Sequence, residues 1–207
     1  MGKILLTSAG FYTDAIRSRF LHCIKINPED ARISIITTAS NTEKWNNEFV
    51  LKTLRDFHEM GMKNVRIVDI EFEEPEILRQ SDVIFLNGGN PFNLLYHLKE
   101  SGADKIIREF AENGGLLVGV STGSIVLGPD IKLVEHFFPE KAIEGLEELT
   151  GLGITDVRVF PHYGDEKLYP DKQGRKIEER LLEFERAHRC SVNRLRDDGA
   201  IVLSCGS

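Results

Sequence analysis

Short runs of consecutive apolar residues, many of them β-branched, recur along the chain and alternate with longer stretches in which apolar side chains return every three or four positions. That alternation predicts βα units arranged around a largely parallel sheet. The strand candidates are 4–7, 33–37, 65–68, 83–86, 116–118, 157–160 and 200–203. Several are apolar at successive positions, as expected where helices cover both faces of a sheet. Residues 42–60 carry Trp45, Phe49, Val50, Leu54 and Phe57 at helical spacing with charges between them, which predicts an amphipathic helix packed on the core. Further helices are expected over 91–99, 103–112, 122–127 and 174–189. Residues 135–151 show neither period and are expected to make an irregular excursion over one end of the sheet. The expected fold is a single α/β domain over residues 1–207, a mostly parallel central sheet with helices on both faces.

In an open parallel sheet, ligands bind outside the carboxyl ends of the strands. Three loops at such ends carry candidate chemistry. The first is Asn87-Gly88-Gly89-Asn90. The second, Gly119-Val120-Ser121-Thr122-Gly123, follows the apolar run Leu116-Leu117-Val118 and has the small-residue frame of a nucleophile elbow. A serine at a strand-to-helix corner needs a strained backbone, and glycines two positions to either side let the neighbouring chain approach without Cβ clashes. The third loop is Pro161-His162-Tyr163. A serine hydroxyl needs a base to take its proton, and imidazole titrates in the right range. Among the six histidines, only His162 lies directly after an apolar strand; His22, His58, His97, His136 and His188 fall in helical, charged or irregular segments.

An imidazole acting as base needs a carboxylate to fix its tautomer, and Asp197 and Asp198, just before Gly199 and the last strand, are the candidates. Asp198 is preferred because it abuts the turn glycine. Acyl transfer also needs amide donors for the oxyanion. Thr122 is positioned to supply one, and Gly88 or Gly89 the other. Asn90 and Pro91 read as the N-cap and first residue of the following helix.

Composition narrows the field further. A hydrophobic content of 41% and a charged content of 29% describe an ordinary globular chain, and a net charge of −7 disfavours nucleic acid as a partner. No stretch is long enough to span a bilayer, and the apolar run at the amino terminus is too short for a signal peptide. Cys23, Cys190 and Cys205 are odd in number and lack metal or redox spacing, so a reducing, cytoplasmic compartment is expected. Without His-Glu-x-x-His, a cysteine ligand cluster or a phosphate-binding glycine loop, neither metal nor cofactor is expected.

Taken together, Asn87-Gly88-Gly89-Asn90 with Pro91-Phe92, Gly119-Val120-Ser121-Thr122-Gly123-Ser124, Pro161-His162 and Asp198-Gly199 resemble the peptidase E family, the aspartyl dipeptidases and their cyanophycinase-like relatives within the class I glutamine amidotransferase-like fold. The order serine, histidine, carboxylate also differs from that of the α/β-hydrolases. The resemblance implies a serine peptidase acting on short peptides, with Asp-Xaa dipeptides as a candidate substrate class, and with Ser121 as nucleophile, His162 as base, Asp198 as third member and Gly88 with Thr122 as the oxyanion hole. Gly89 and Asn90 are the implied substrate contacts. Two features depart from the family pattern. Thr122 stands where alanine is usual and, being β-branched, is expected to narrow the elbow. The arginine that reads an aspartate substrate has Arg175 and Arg180 as nearby candidates, but Ile177 falls close to the matching position. The same constellation admits a hydrolase of a modified or β-linked peptide, and a binding protein that keeps the fold without turnover.

Overall fold

The structure, a computed structural model, describes residues 2–40, 47–141, 146 and 148–204. The first half runs through β1 (Lys3–Thr7), α1 (Asp14–Cys23), β2 (Arg32–Ile36), α2 (Glu48–Glu59), β3 (Asn64–Val68), a 3-10 turn (Pro75–Gln80) and β4 (Val83–Leu86). It continues with α3 (Pro91–Glu100), α4 (Ala103–Glu112), β5 (Leu116–Val120), α5 (Thr122–Val126) and α6 (Lys132–Phe137). After a second 3-10 turn come β6 (Val159–Phe160), α7 (Ile177–His188), β7 (Asn193–Arg194) and β8 (Ala200–Ser204).

Six strands form the central sheet in the order β3-β2-β4-β5-β1-β8. All neighbours are parallel except β8, which runs antiparallel to β1 at the edge with Thr7 opposite Ala200. Because side chains alternate across a strand, each apolar run feeds two layers. Ile4, Leu6, Ile84, Leu86 and Leu117 join the cluster containing Leu94, Leu95 and Leu98 of α3 and Ile106 and Ile107 of α4. Leu5, Val83, Phe85 and Val118 join the opposite cluster with Ile16 and Phe20 of α1 and Phe57 of α2. In that second layer Phe11, Phe20, Phe57 and Phe85 pack with ring centroids 5.0 to 5.8 Å apart, mostly edge to face. Full burial of each such ring stabilises the fold by roughly 1.5–3 kcal/mol. The expected α/β architecture is thus observed, and no helix among the described residues is long and apolar enough to cross a membrane.

Four points of the local reading need revision. Helix α1 has no place in the sequence reading because only Ile16, Phe20 and Cys23 of it are buried, too few for a clear stripe. Its signal was the cap, where the Thr13 hydroxyl accepts from the Ile16 amide ahead of Asp14. Helix α2 begins only at Glu48, capped by Asn47, and Phe49 is 77% exposed, so the buried stripe is narrower than its sequence suggests. Trp45 lies outside the described residues. Most consequential, the 157–160 run does not join the central sheet. Only Val159–Phe160 is extended, and it pairs in parallel with β7, Phe160 opposite Arg194. Part of the supposedly irregular stretch is α6, whose Leu133 and Phe137 form a third apolar cluster with Phe160, Tyr169, Ile177, Leu181 and Phe184.

The β6–β7 pair is tied to α7 through one guanidinium. Arg194 donates to both carboxylate oxygens of Glu185 and both of Glu178. These hydrogen bonds hold both carboxyl groups below the ordinary glutamate value. A depressed carboxylate stabilises the fold above its unfolded-state pKa, and that contribution is lost as pH falls through the folded-state value. Urea unfolding of the wild type and Glu185→Gln should therefore differ at neutral pH, with the gap closing as pH drops below the ordinary value of 4.5. A gap that does not change with pH would mean the side chain contributes through packing alone.

Candidate active site

Strand β5 ends against a corner that only small residues can form. Ser121, between β5 and α5, has φ 49° and ψ −111°. A Cβ at Gly119 would come within 2.7 Å of the Ser124 backbone, and one at Gly123 within 2.1 Å of the Leu86 carbonyl oxygen. Those contacts set the helix directly on the strand tips. The corner is also fastened to β1: the Ser121 amide donates to the Thr7 carbonyl at 2.9 Å, and the Ser124 hydroxyl donates to that carbonyl and accepts from the Thr7 amide. Three non-glycine residues among those described have positive φ, Ser121, His162 and Arg189. Two of the three belong to one hydrogen-bonded cluster, and such clustering of strained backbone points to a functional site.

His162 reaches that cluster from the β6–β7 pair. In the parallel register the chains leave Phe160 and Arg194 side by side, and further bonds from Leu195 N to Phe160 O and Tyr163 N to Leu195 O extend the pairing. Two residues beyond β6 comes His162, and three beyond β7 comes Asp197. His162 Nε2 lies 3.1 Å from Ser121 Oγ, and Nδ1 lies 2.7 Å from Asp197 Oδ1. A carboxylate can only accept, so Nδ1 is the donor in that bond, and in the neutral imidazole Nε2 is then the acceptor facing the serine hydroxyl. The Ser–His distance falls within the reach required of a base, roughly 2.6–3.2 Å. Tyr169 holds the same loop by donating to the Pro161 carbonyl at 2.7 Å, and burial keeps its hydroxyl protonated far above the ordinary tyrosine value.

The preference for Asp198 gives way here to Asp197. The turn closed by Gly199 N to Arg196 O carries both aspartates; it directs Asp197 inward and leaves Asp198 exposed. Proximity to the turn glycine was the wrong criterion, because adjacent turn residues point to different sides. Sequence reasoning also missed Ser8. Fully buried just past β1, Ser8 donates to Asp197 Oδ1 at 2.6 Å and accepts from the His162 amide at 2.6 Å. The run of small polar residues Thr7-Ser8 at a strand's carboxyl end was the available signal.

The remaining candidates divide. Gly88 lies against the nucleophile: a Cβ there would sit 3.9 Å from Ser121 Oγ. Thr122, as the first residue of α5, has an amide with no acceptor inside its own helix. Its side chain does not narrow the elbow but turns to the neighbouring loop, where the hydroxyl donates to Gly89 O at 2.6 Å and accepts from Gly89 N at 3.3 Å. Asn90 is the expected cap, accepting from the amides of Phe92 and Asn93. Arg175 is not brought to the site; its guanidinium is held by Asp171 and Glu183. Ile177 is buried in the third apolar cluster.

Beside Ser121 opens a cavity of about 210 Å³ lined by Thr122, Ile125, Leu133, Phe137, His162 and Tyr169, among others. A larger one, about 400 Å³, lies at the opposite, amino end of the strands around Cys23, Asp82 and Gly115, remote from these groups. Among the described residues no cluster of histidine, cysteine and carboxylate side chains could hold a metal ion.

A serine on a strained elbow, an imidazole in reach of its hydroxyl and a carboxylate behind that imidazole, on a mostly parallel sheet, define a serine-hydrolase-type site. The comparisons narrow the class. The model of peptidase family S51 matches residues 4–206, and the chain belongs to that family of serine-type peptidases. It is 29% identical over 150 residues to a protein of Listeria monocytogenes described as an uncharacterized peptidase, covering 67% of this chain and 69% of the relative. It is 35% identical over 128 residues to peptidase E of Shewanella amazonensis, covering 60% of this chain and 52% of that protein. Among solved structures, one from Listeria monocytogenes assigned as a peptidase E superposes with a TM-score of 0.78 at 25% identity, over 100% of this chain and 96% of the other.

The elbow contacts can be tested through stability. In Gly123→Ala the new methyl would overlap the Leu86 carbonyl oxygen, and forced overpacking of this kind costs about 1–3 kcal/mol. Thermal unfolding should show a clear fall in Tm relative to the wild type. Equal Tm values would mean the elbow is not close-packed.

Proposed function

We propose that this protein is a serine peptidase that cleaves short peptides through an acyl-enzyme, with Ser121 as nucleophile, His162 as general base and acid, and Asp197 as the carboxylate that orients the imidazole. The observation that carries this reading is the continuous chain from Ser121 Oγ to His162 Nε2 at 3.1 Å and from His162 Nδ1 to Asp197 at 2.7 Å. Ser121 Oγ attacks the scissile carbonyl carbon as its proton passes to His162 Nε2. The carbonyl oxygen becomes an oxyanion facing the amides of Gly88 and Thr122. The C–N bond then breaks, with the imidazolium returning the proton to the departing amine. A water molecule attacks the resulting ester, losing its proton to His162, and the serine leaves with that proton restored. Ser8 holds Asp197 and the His162 backbone in register, which supports the strained φ of 54° at His162.

A short peptide substrate is supported by the place of the nucleophile at the tips of the sheet beside a small cavity. A cytoplasmic setting fits the free thiols of Cys23 and Cys190, both raised above the ordinary thiol value chiefly by burial. An Asp-Xaa preference would require a cation near Ser121. Among the described residues lining the adjacent cavity there is none, and Arg175 is held elsewhere.

Initial rates on a dipeptide panel, measured for the wild type, Ser121→Ala, Asp197→Asn and Asp198→Asn, test these roles. Ser121→Ala should lower kcat by roughly 10⁴ to 10⁶, and Asp197→Asn by about 10⁴ through loss of the correct tautomer. Asp198→Asn should stay within a few-fold of wild type. Undiminished turnover in Ser121→Ala would end the nucleophile assignment, and a larger loss for Asp198 than for Asp197 would reverse the choice of acid.

A further inference from the structure

The cavity beside Ser121 has a composition that speaks to substrate. Its walls come from α5 (Ile125), α6 (Leu133, Val134, Phe137) and the segment after β6 (Leu168, Tyr169), and Ser121, Thr122 and His162 also line it. Every other side chain lining it is aliphatic, aromatic or proline, and no charged side chain lines it among the described residues. An acidic side chain there would lose its hydration without gaining a cationic partner, a loss far larger than any contact with apolar walls returns. A branched or aromatic side chain would instead exchange water for those walls.

The buried Arg180 does not alter this balance. Arg180 lies behind the wall, 3% exposed, with its guanidinium 3.9 Å from the Phe137 ring centroid. It donates to the carbonyls of Phe137 and Tyr169. These bonds stiffen two of the aromatic walls from outside, and the Phe137 ring stands beside the charge. Size agrees as well: about 210 Å³ exceeds the roughly 150 Å³ in which an engineered apolar cavity accepts benzene.

We propose that this cavity receives the side chain of the residue on the acyl side of the scissile bond, and that this residue is branched aliphatic or aromatic, not acidic. That side chain starts on the carbon next to the attacked carbonyl, so a cavity lined by Ser121 and Thr122 lies within its reach. The inference rests on the serine peptidase reading for turnover, but the cavity's selectivity can be measured without it.

The test has a kinetic and a binding arm. In the first, leucyl-, phenylalanyl- and aspartyl-anilides, which differ only on the acyl side, are compared by kcat/KM. Leucyl or phenylalanyl substrate should exceed aspartyl by at least 10- to 100-fold, the scale on which apolar pockets discriminate. Leu168 is half-exposed at the cavity, so a polar side chain there stays solvated in the folded state: Leu168→Arg should erode the apolar preference and raise aspartyl turnover. In the second arm, leucinamide, phenylalaninamide and aspartic acid amide are titrated calorimetrically against Ser121→Ala, where turnover plays no part. The apolar amides should bind more tightly, and Ile125→Phe in the same background should weaken them by filling the space. Preference for aspartate, or no discrimination in the binding arm, would overturn the inference. Apolar selectivity in binding with no hydrolysis by the wild type would keep the cavity assignment and remove the peptidase reading instead.

Discussion

The site depends on backbone meeting backbone at the β5–α5 corner. Gly119 and Gly123 have no side chains because Ser124 and Leu86 occupy the space a Cβ would need. That contact lets α5 start directly off the strand tip and forces Ser121 to positive φ, so its hydroxyl stands clear of the sheet edge. The same corner binds Thr7 through Ser121 N and Ser124 Oγ, which sets Ser8 immediately beside it. A methyl group at either glycine would therefore move the serine, the helix amide and the end of β1 together.

The imidazole and carboxylate are delivered by a separate and smaller device. β6 and β7 make only two residue pairs, yet their parallel register leaves His162 and Asp197 abreast beyond the strand ends. Arg194 anchors this ribbon to α7, Tyr169 anchors the His162 loop through Pro161, and Ser8 spans from the ribbon to the central sheet. Two rigid pieces thus meet at one hydroxyl. In the proposed mechanism, aligning an acid–base pair with a nucleophile in advance lowers the entropic cost of attack.

Much of this was legible in the residues. Apolar runs with helical stretches between them gave the strands and the two-faced sheet, since burial on both sides demands apolar residues at successive positions. The glycine frame around Ser121 and the apolar-Pro-His sequence marked two of the three interacting groups. What the pattern could not supply was anything fixed by tertiary register. The 157–160 run looks like a sheet strand, but its partner is β7, and no local feature records that choice. Asp197 and Asp198 are chemically identical neighbours separated only by the direction each takes from a turn. Ser8 is an ordinary serine until the fold sets it between β1 and the ribbon. Thr122, expected to narrow the elbow, instead ties it to Gly89, a reversal that depends on one side-chain rotation.

The central claim is that Ser121 is an activated nucleophile rather than a structural corner. Reaction with an alkyl fluorophosphonate, which phosphonylates activated serines, followed by peptide mapping in a mass spectrometer, tests that claim without knowledge of the substrate. The expected result is a single adduct on the peptide containing Ser121, formed many-fold more slowly in His162→Ala. No adduct, or one on Ser121 that forms equally fast without His162, would contradict the account.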